Sequence, residues 1–132
     1  MKTKIFCDIA DYKTIKSLNL KKNIDGFTTN PSLMRIAGAK NYKNYCLKIL
    51  KICKKKPISF EVFGDNYKSM TDQGLKISSW AKNIYVKVPV VNSKNKFTGK
   101  VIKELNKKKI KLNITAVYSA VQTKKILNII DK

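Results

Sequence analysis

The chain has 132 residues, 43% of them hydrophobic, which suits a single domain with a buried core and excludes a disordered polar chain. Its formal charge of +21 arises from 29 Lys and Arg against 8 Asp and Glu, and histidine is absent, which excludes Ser-His and Cys-His catalysis and histidine-based zinc sites. Arg35 is the only arginine, and lysine runs such as Lys54-Lys55-Lys56 and Lys107-Lys108-Lys109 lack interleaved aromatics, so the charge reads as a solvated face with no specific nucleic-acid partner.

No stretch approaches the length of a membrane span, and Asp8 interrupts the start too early for a signal peptide, so a cytoplasmic location and no membrane partner are expected. Cys7, Cys46 and Cys53 are odd in number and lack metal-ligand spacing. They read as reduced structural thiols, and no metal site is expected.

In chain order, Lys4 to Asp8 predicts a first strand, and Asp11 a cap for a helix carrying Ile15 and Leu18. Ile24 to Asn30 predicts a second strand, with Pro31 opening a helical turn and a further helix from about Asn41 to Lys54. Pro57 to Phe63 predicts a third strand, followed by a turn at Gly64-Asp65-Asn66 and a helix to about Lys82. Asn83 to Val90 predicts a fourth strand, in which Pro89 should end pairing just after Lys87. A helix from about Thr98, a fifth strand from Ile110 to Thr115 and a last helix to about Ile130 complete the chain. Five strands, each followed by helix, indicate right-handed βαβ units on a parallel sheet, compatible with an open doubly wound sheet or a (β/α)8 barrel. There is no Gly-x-Gly-x-x-Gly and no phosphate-loop motif, which argues against nucleotide binding.

Alternation along the strands divides them into two faces. Ile5, Cys7, Phe60, Val62, Ile84, Val86, Val88, Leu112 and Ile114 form an apolar set for helices to cover. The opposite set ends in Asp8, Glu61, Lys87, Asn113 and Thr115, with Asn30 at the matching end of strand two. A parallel sheet gathers these ends at one edge, where α/β enzymes build their sites. One amine beside two carboxylates suits imine chemistry on a sugar carbonyl. Lys87 would attack a ketose carbonyl, burial having favoured its free amine. Asp8 would take the hydroxyl proton, Glu61 with Thr115 would handle water, and Asn30 and Asn113 would hold substrate hydroxyls. No cofactor is required. The bland alternatives are helix capping by Asp8 and Asp11, turn chemistry at Thr29-Asn30-Pro31 and a simple ion pair between Glu61 and Lys87.

These residues fall in motifs that resemble one family. Phe6-Cys7-Asp8-Ile9-Ala10-Asp11, Asp25-Gly26-Phe27-Thr28-Thr29-Asn30-Pro31-Ser32-Leu33, Ile58-Ser59-Phe60-Glu61-Val62, Val86-Lys87-Val88-Pro89 and Leu112-Asn113-Ile114-Thr115-Ala116 are similar, in order and interval, to segments of the transaldolase and fructose-6-phosphate aldolase family. The resemblance implies Lys87 as the Schiff-base lysine, Asp8 as acid/base residue, Glu61 and Thr115 as a water-handling pair, and Asn30 and Asn113 as sugar ligands. It also implies the parallel (β/α) units of a TIM barrel, truncated to about five of eight, residues 1–132 being one partial domain. The implied reaction transfers or releases a dihydroxyacetone unit from a ketose or ketose phosphate, leaving transferase and aldolase both open. The motif series departs from the family after its fifth strand and helix, without the later segments that bind phosphate. Open sheet edges are therefore expected to drive homo-oligomerisation or other association. The competing readings are an inactive truncated barrel acting as a remnant or interaction protein, and a basic RNA-associated protein.

Overall fold

The computed structural model describes residues 3–130. Five βα repeats follow one another: β1 (Phe6–Asp8), α1 (Tyr12–Asn19), β2 (Gly26–Thr28), α2 (Pro31–Ile36), α3 (Tyr42–Ile52), β3 (Ile58–Glu61), α4 (Tyr67–Ser78), β4 (Ile84–Pro89), α5 (Gly99–Lys107), β5 (Leu112–Thr115) and α6 (Ala120–Leu127). The strands hydrogen-bond in sequence order, and the described registers are parallel, as the alternation of strand and helix requires. The elements are shorter than the residue patterns suggest, because side-chain caps set the helix starts and pairing sets the strand ends.

The chain divides into two compact units, Met1–Phe60 with Trp80–Ile84, and Glu61–Ser79 with Tyr85–Lys132. In the first, Phe6 pairs with Gly26 and Asp8 with Thr28, while Phe27 pairs with Ile58. Ile58 N donates to Asn83 O at 3.1 Å, which fixes the start of β3 beside the start of β4. Ile15, Phe27, Met34, Cys46, Ile49, Cys53, Ile58 and Phe60 are buried in its core, and burial of each large apolar side chain contributes about 1.5–3 kcal/mol. Asn19 Nδ2 donates to Ile52 O at 2.8 Å, joining the ends of α1 and α3. Ile5 departs from the expected apolar face: it is 48% exposed.

In the second unit, α4 buries Met70, Thr71, Gly74 and Ile77, and α5 buries Val101, Ile102 and Leu105. That spacing is the single stripe of an amphipathic helix. A Cβ at Gly74 would lie 2.7 Å from Leu105 Cδ1, so the glycine is what lets Leu105 close against α4. Val86 and Val88 are fully buried on one face of β4, and Val90, just past its end, is buried as well.

β4 does not stop at Lys87, as its proline suggests; it pairs through Pro89, opposite Thr115. The reason is directional. Val86 N donates to Lys111 O and Val90 N to Thr115 O, so the residues that donate to β5 alternate with Pro89. Lys87 O, on the other side, accepts from Val62 N at 3.0 Å. Pro89 therefore faces the side on which β3 has already ended at Glu61, and its missing N–H removes no ladder bond.

Candidate active site

Lys87 lies in an interior position of β4, with Val62 on one side and Asn113 in register on the other. The residue is only 9% exposed. Its Nζ is 3.6 Å from Glu61 Oε2, with the two side chains 11% and 17% exposed. This is an ion pair longer than a good hydrogen bond, drawn largely out of water. The edge-strand, snorkelling lysine that a run of strand-forming residues commonly hides is thus not what this sequence builds.

Asn113 follows Lys87 in the β4–β5 register, and Thr115 stands two residues further along, opposite Pro89. Both are half-buried. Just past the strand ends, both glutamines of the chain perform one task. Gln73 Oε1 accepts from Phe63 N and Gly64 N after β3, and Gln122 Oε1 accepts from Tyr118 N and Ser119 N after β5. Each clamps a loop that leaves a strand bearing an expected site residue. Neither is detectable by periodicity; the Ser119-x-x-Gln122 capping box is the one local signal for the second.

Asp8 and Asn30 belong to the first unit. Asp8 is exposed and does not cap a helix: Thr28 Oγ1 donates to Asp8 Oδ1 at 2.7 Å across the β1–β2 register. Asp11 is the cap, its Oδ2 accepting from Thr14 N at 2.8 Å and Thr14 Oγ1 at 2.7 Å, and these bonds hold its carboxyl below the usual range. Asn30 caps α2 through Oδ1, accepting from Leu33 N at 2.8 Å. The buried Thr29 donates from Oγ1 to Ser59 O at 2.8 Å, which locks the junction carrying Asn30 onto β3. Thr28 and Thr29 were not expected as site residues; the register that sets Thr28 opposite Asp8 is a tertiary property.

Cys46 and Cys53 are buried thiols pushed up to about 12 and about 11 by desolvation. All three cysteines are free, and no group of three His, Cys, Asp or Glu side chains among the described residues could hold a metal ion. No helix among the described residues is long and apolar enough to cross a membrane. An open hollow of about 400 Å³ in the second unit is lined by Asp65, Asn66, Tyr67, Asn92, Lys94 and Lys96, and none of the six expected site residues lines it.

A family profile described as Transaldolase/Fructose-6-phosphate aldolase matches residues 5–130. The chain is similar to a probable transaldolase of Herpetosiphon aurantiacus, 37% identical over 119 residues, covering 90% of this chain and 51% of that protein. A probable transaldolase of Bdellovibrio bacteriovorus is 35% identical over 122 residues, 90% of this chain and 53% of its own. One from Nitrosopumilus maritimus is 36% identical over 116 residues, 88% of this chain and 50% of its own. The chain thus spans about half the length of the curated relatives it matches.

Proposed function

Because the chain belongs to the transaldolase and fructose-6-phosphate aldolase family, we propose that it carries the Schiff-base machinery of a class I aldol reaction on a ketose or ketose phosphate. The observation that supports this reading is the amine of Lys87, held on an interior strand, 9% exposed as a residue and 3.6 Å from the Glu61 carboxylate.

Lys87 Nζ adds to the ketose carbonyl, and the carbinolamine loses water to give an iminium. Glu61, with Thr115, supplies and removes the protons of that water. The iminium then draws in the electron pair of the neighbouring carbon–carbon bond as Asp8 takes the hydroxyl proton of the departing aldehyde. The enamine that remains carries the dihydroxyacetone unit. It is either passed to an acceptor aldehyde, with a new carbon–carbon bond, or protonated and released by hydrolysis, which returns the lysine. Asn30 and Asn113 hold sugar hydroxyls, an amide being able both to donate and to accept.

Borohydride reduction in the presence of a ketose phosphate tests the reading. Reduction of the iminium leaves a stable secondary amine, so peptide mass mapping should find the sugar-derived mass on Lys87 and on no exposed lysine to the same extent. A folded preparation that forms no adduct, or forms it indiscriminately on surface lysines, rules the reading out.

A further inference from the structure

Among the described residues, side chains start the helices with one exception. Asp11 accepts from Thr14 N, Asn30 from Leu33 N, Asn41 from Asn44 N, Asn66 from Ser69 N and Ser119 from Gln122 N. At α5 the N-cap residue is Thr98, a good capping residue by type, yet its side chain makes no cap hydrogen bond. Its hydroxyl points elsewhere: Oγ1 donates to Pro89 O at 2.6 Å, while its backbone N donates to Val90 O at 3.0 Å. Thr98 is 6% exposed.

Pro89 is two residues beyond Lys87, and its carbonyl lies on the side of β4 where Lys87 O accepts from Val62 N. The next donor on that side would come from β3, but β3 ends at Glu61. The Thr98 hydroxyl supplies the donor that the ladder no longer has. The intervening loop is shaped to deliver it. Asn92 Oδ1 accepts from Lys94 N and Lys96 N, Asn92 N donates to Lys96 O, and Val91 bridges antiparallel to Phe97. Ser93, through N and Oγ, donates to the Asp65 carboxylate.

We propose that Thr98 is a positioning residue for Lys87, its hydroxyl holding the end of β4 in line so that the lysine leaves the strand toward Glu61. This rests on the reading of Lys87 as the imine-forming amine. The local stability of α5 is sacrificed at its first turn to extend the order of β4 by one hydrogen bond past the last residue of β3.

The test exploits opposed rankings. As a helix cap, Asp is at least as good as Thr; as a donor to the Pro89 carbonyl, an ionised Asp is useless and Ser is equivalent to Thr. Thr98→Ser, Thr98→Asp and Thr98→Val are compared in the full chain by two readouts. The first is the rate of ketose–borohydride adduct formation on Lys87. The second is reductive methylation of Lys87 by formaldehyde relative to exposed Lys13, which needs no sugar. We expect T98S to match the parent, and T98D and T98V to lose about tenfold or more in adduct rate while Lys87 methylation rises severalfold relative to Lys13. Should T98V not fold, the T98D and T98S pair carries the comparison. If T98D matches the parent in both readouts, the proposal is overturned. If the parent forms no adduct, the proposed function falls and the methylation ratio alone decides the role of Thr98.

Discussion

Lys87 Nζ, within β4, and Glu61 Oε2, at the end of β3, are 3.6 Å apart, each side chain largely withdrawn from solvent. The pair is held from behind by Val62 N donating to Lys87 O at 3.0 Å, so the backbones that carry the two charges are tied next to them. Removing either partner takes an ion-pair contact from a charge in a poorly hydrated place. Lys87→Met should abolish the ketose adduct and lower stability by about 1–3 kcal/mol, as expected when a partly buried charge loses an ion-pair partner. Glu61→Gln should keep the fold and still form the adduct, about 10²–10⁴-fold more slowly. Denaturant melts and trapping time courses separate the two effects.

Thr28 orients Asp8 through one short hydrogen bond of 2.7 Å. Thr28→Val, which keeps the shape and removes the donor, should leave adduct formation on Lys87 unchanged and slow the release of the aldehyde fragment by about tenfold, since a loosened carboxylate is a poorer proton acceptor. Burst and steady-state measurements of aldehyde release distinguish this from a loss of binding.

Two glycines give opposite expectations. A Cβ at Gly26 would come within 2.6 Å of the Pro57 carbonyl oxygen, a backbone atom fixed by pairing, whereas at Gly74 it would meet Leu105 Cδ1, the end of a side chain that can turn. Gly26→Ala should destabilise the chain by about 1–3 kcal/mol. Gly74→Ala should be close to neutral, the gain of about 1 kcal/mol in helix propensity offsetting the repacking of Leu105. Chemical denaturation of the two variants, run side by side, checks the difference.

The buried thiols make stability fall at alkaline pH. Cys46 and Cys53 rise from an ordinary 9.0 to about 12 and about 11 because burial disfavours the thiolate. The unfolded chain therefore loses these protons first. Their contribution is fully present below pH 9, and it declines as pH rises through 9 toward 11–12. Melts between pH 8 and 11 should show the decline, and Cys46→Ala should flatten it. Below pH 9, thiol reagents should reach half-buried Cys7 well before Cys46 or Cys53.

The βα rhythm was legible where local signals mark a helix start: Asp11, Asn30, Asn41 and Asn66 are residue types whose side chains cap helices, and each does so, whereas Thr98 does not. The apolar faces of β3 and β4 were legible from a residue pattern of period two, but the burial of these strands does not follow it: Ser59 and Lys87 on the opposite face are buried as well. Strand lengths were not. β1 loses Ile5 to solvent and β4 gains Pro89, because pairing partners, absent from any local pattern, decide where a strand stops.

Residue type and spacing singled out Lys87 among strand formers and the carboxylates and amides at matching strand ends, and the motifs that contain them carried the resemblance to one family. Which groups meet is a matter of register and topology. That Glu61 neighbours Lys87, that Thr28 rather than a helix engages Asp8, and that Thr98 turns from its helix to Pro89 all depend on contacts between residues 9 to 26 positions apart. Such contacts form only once loops have closed and β3 has ended one residue short of Val62, so their geometry is a property of the packed chain and not of any stretch within it.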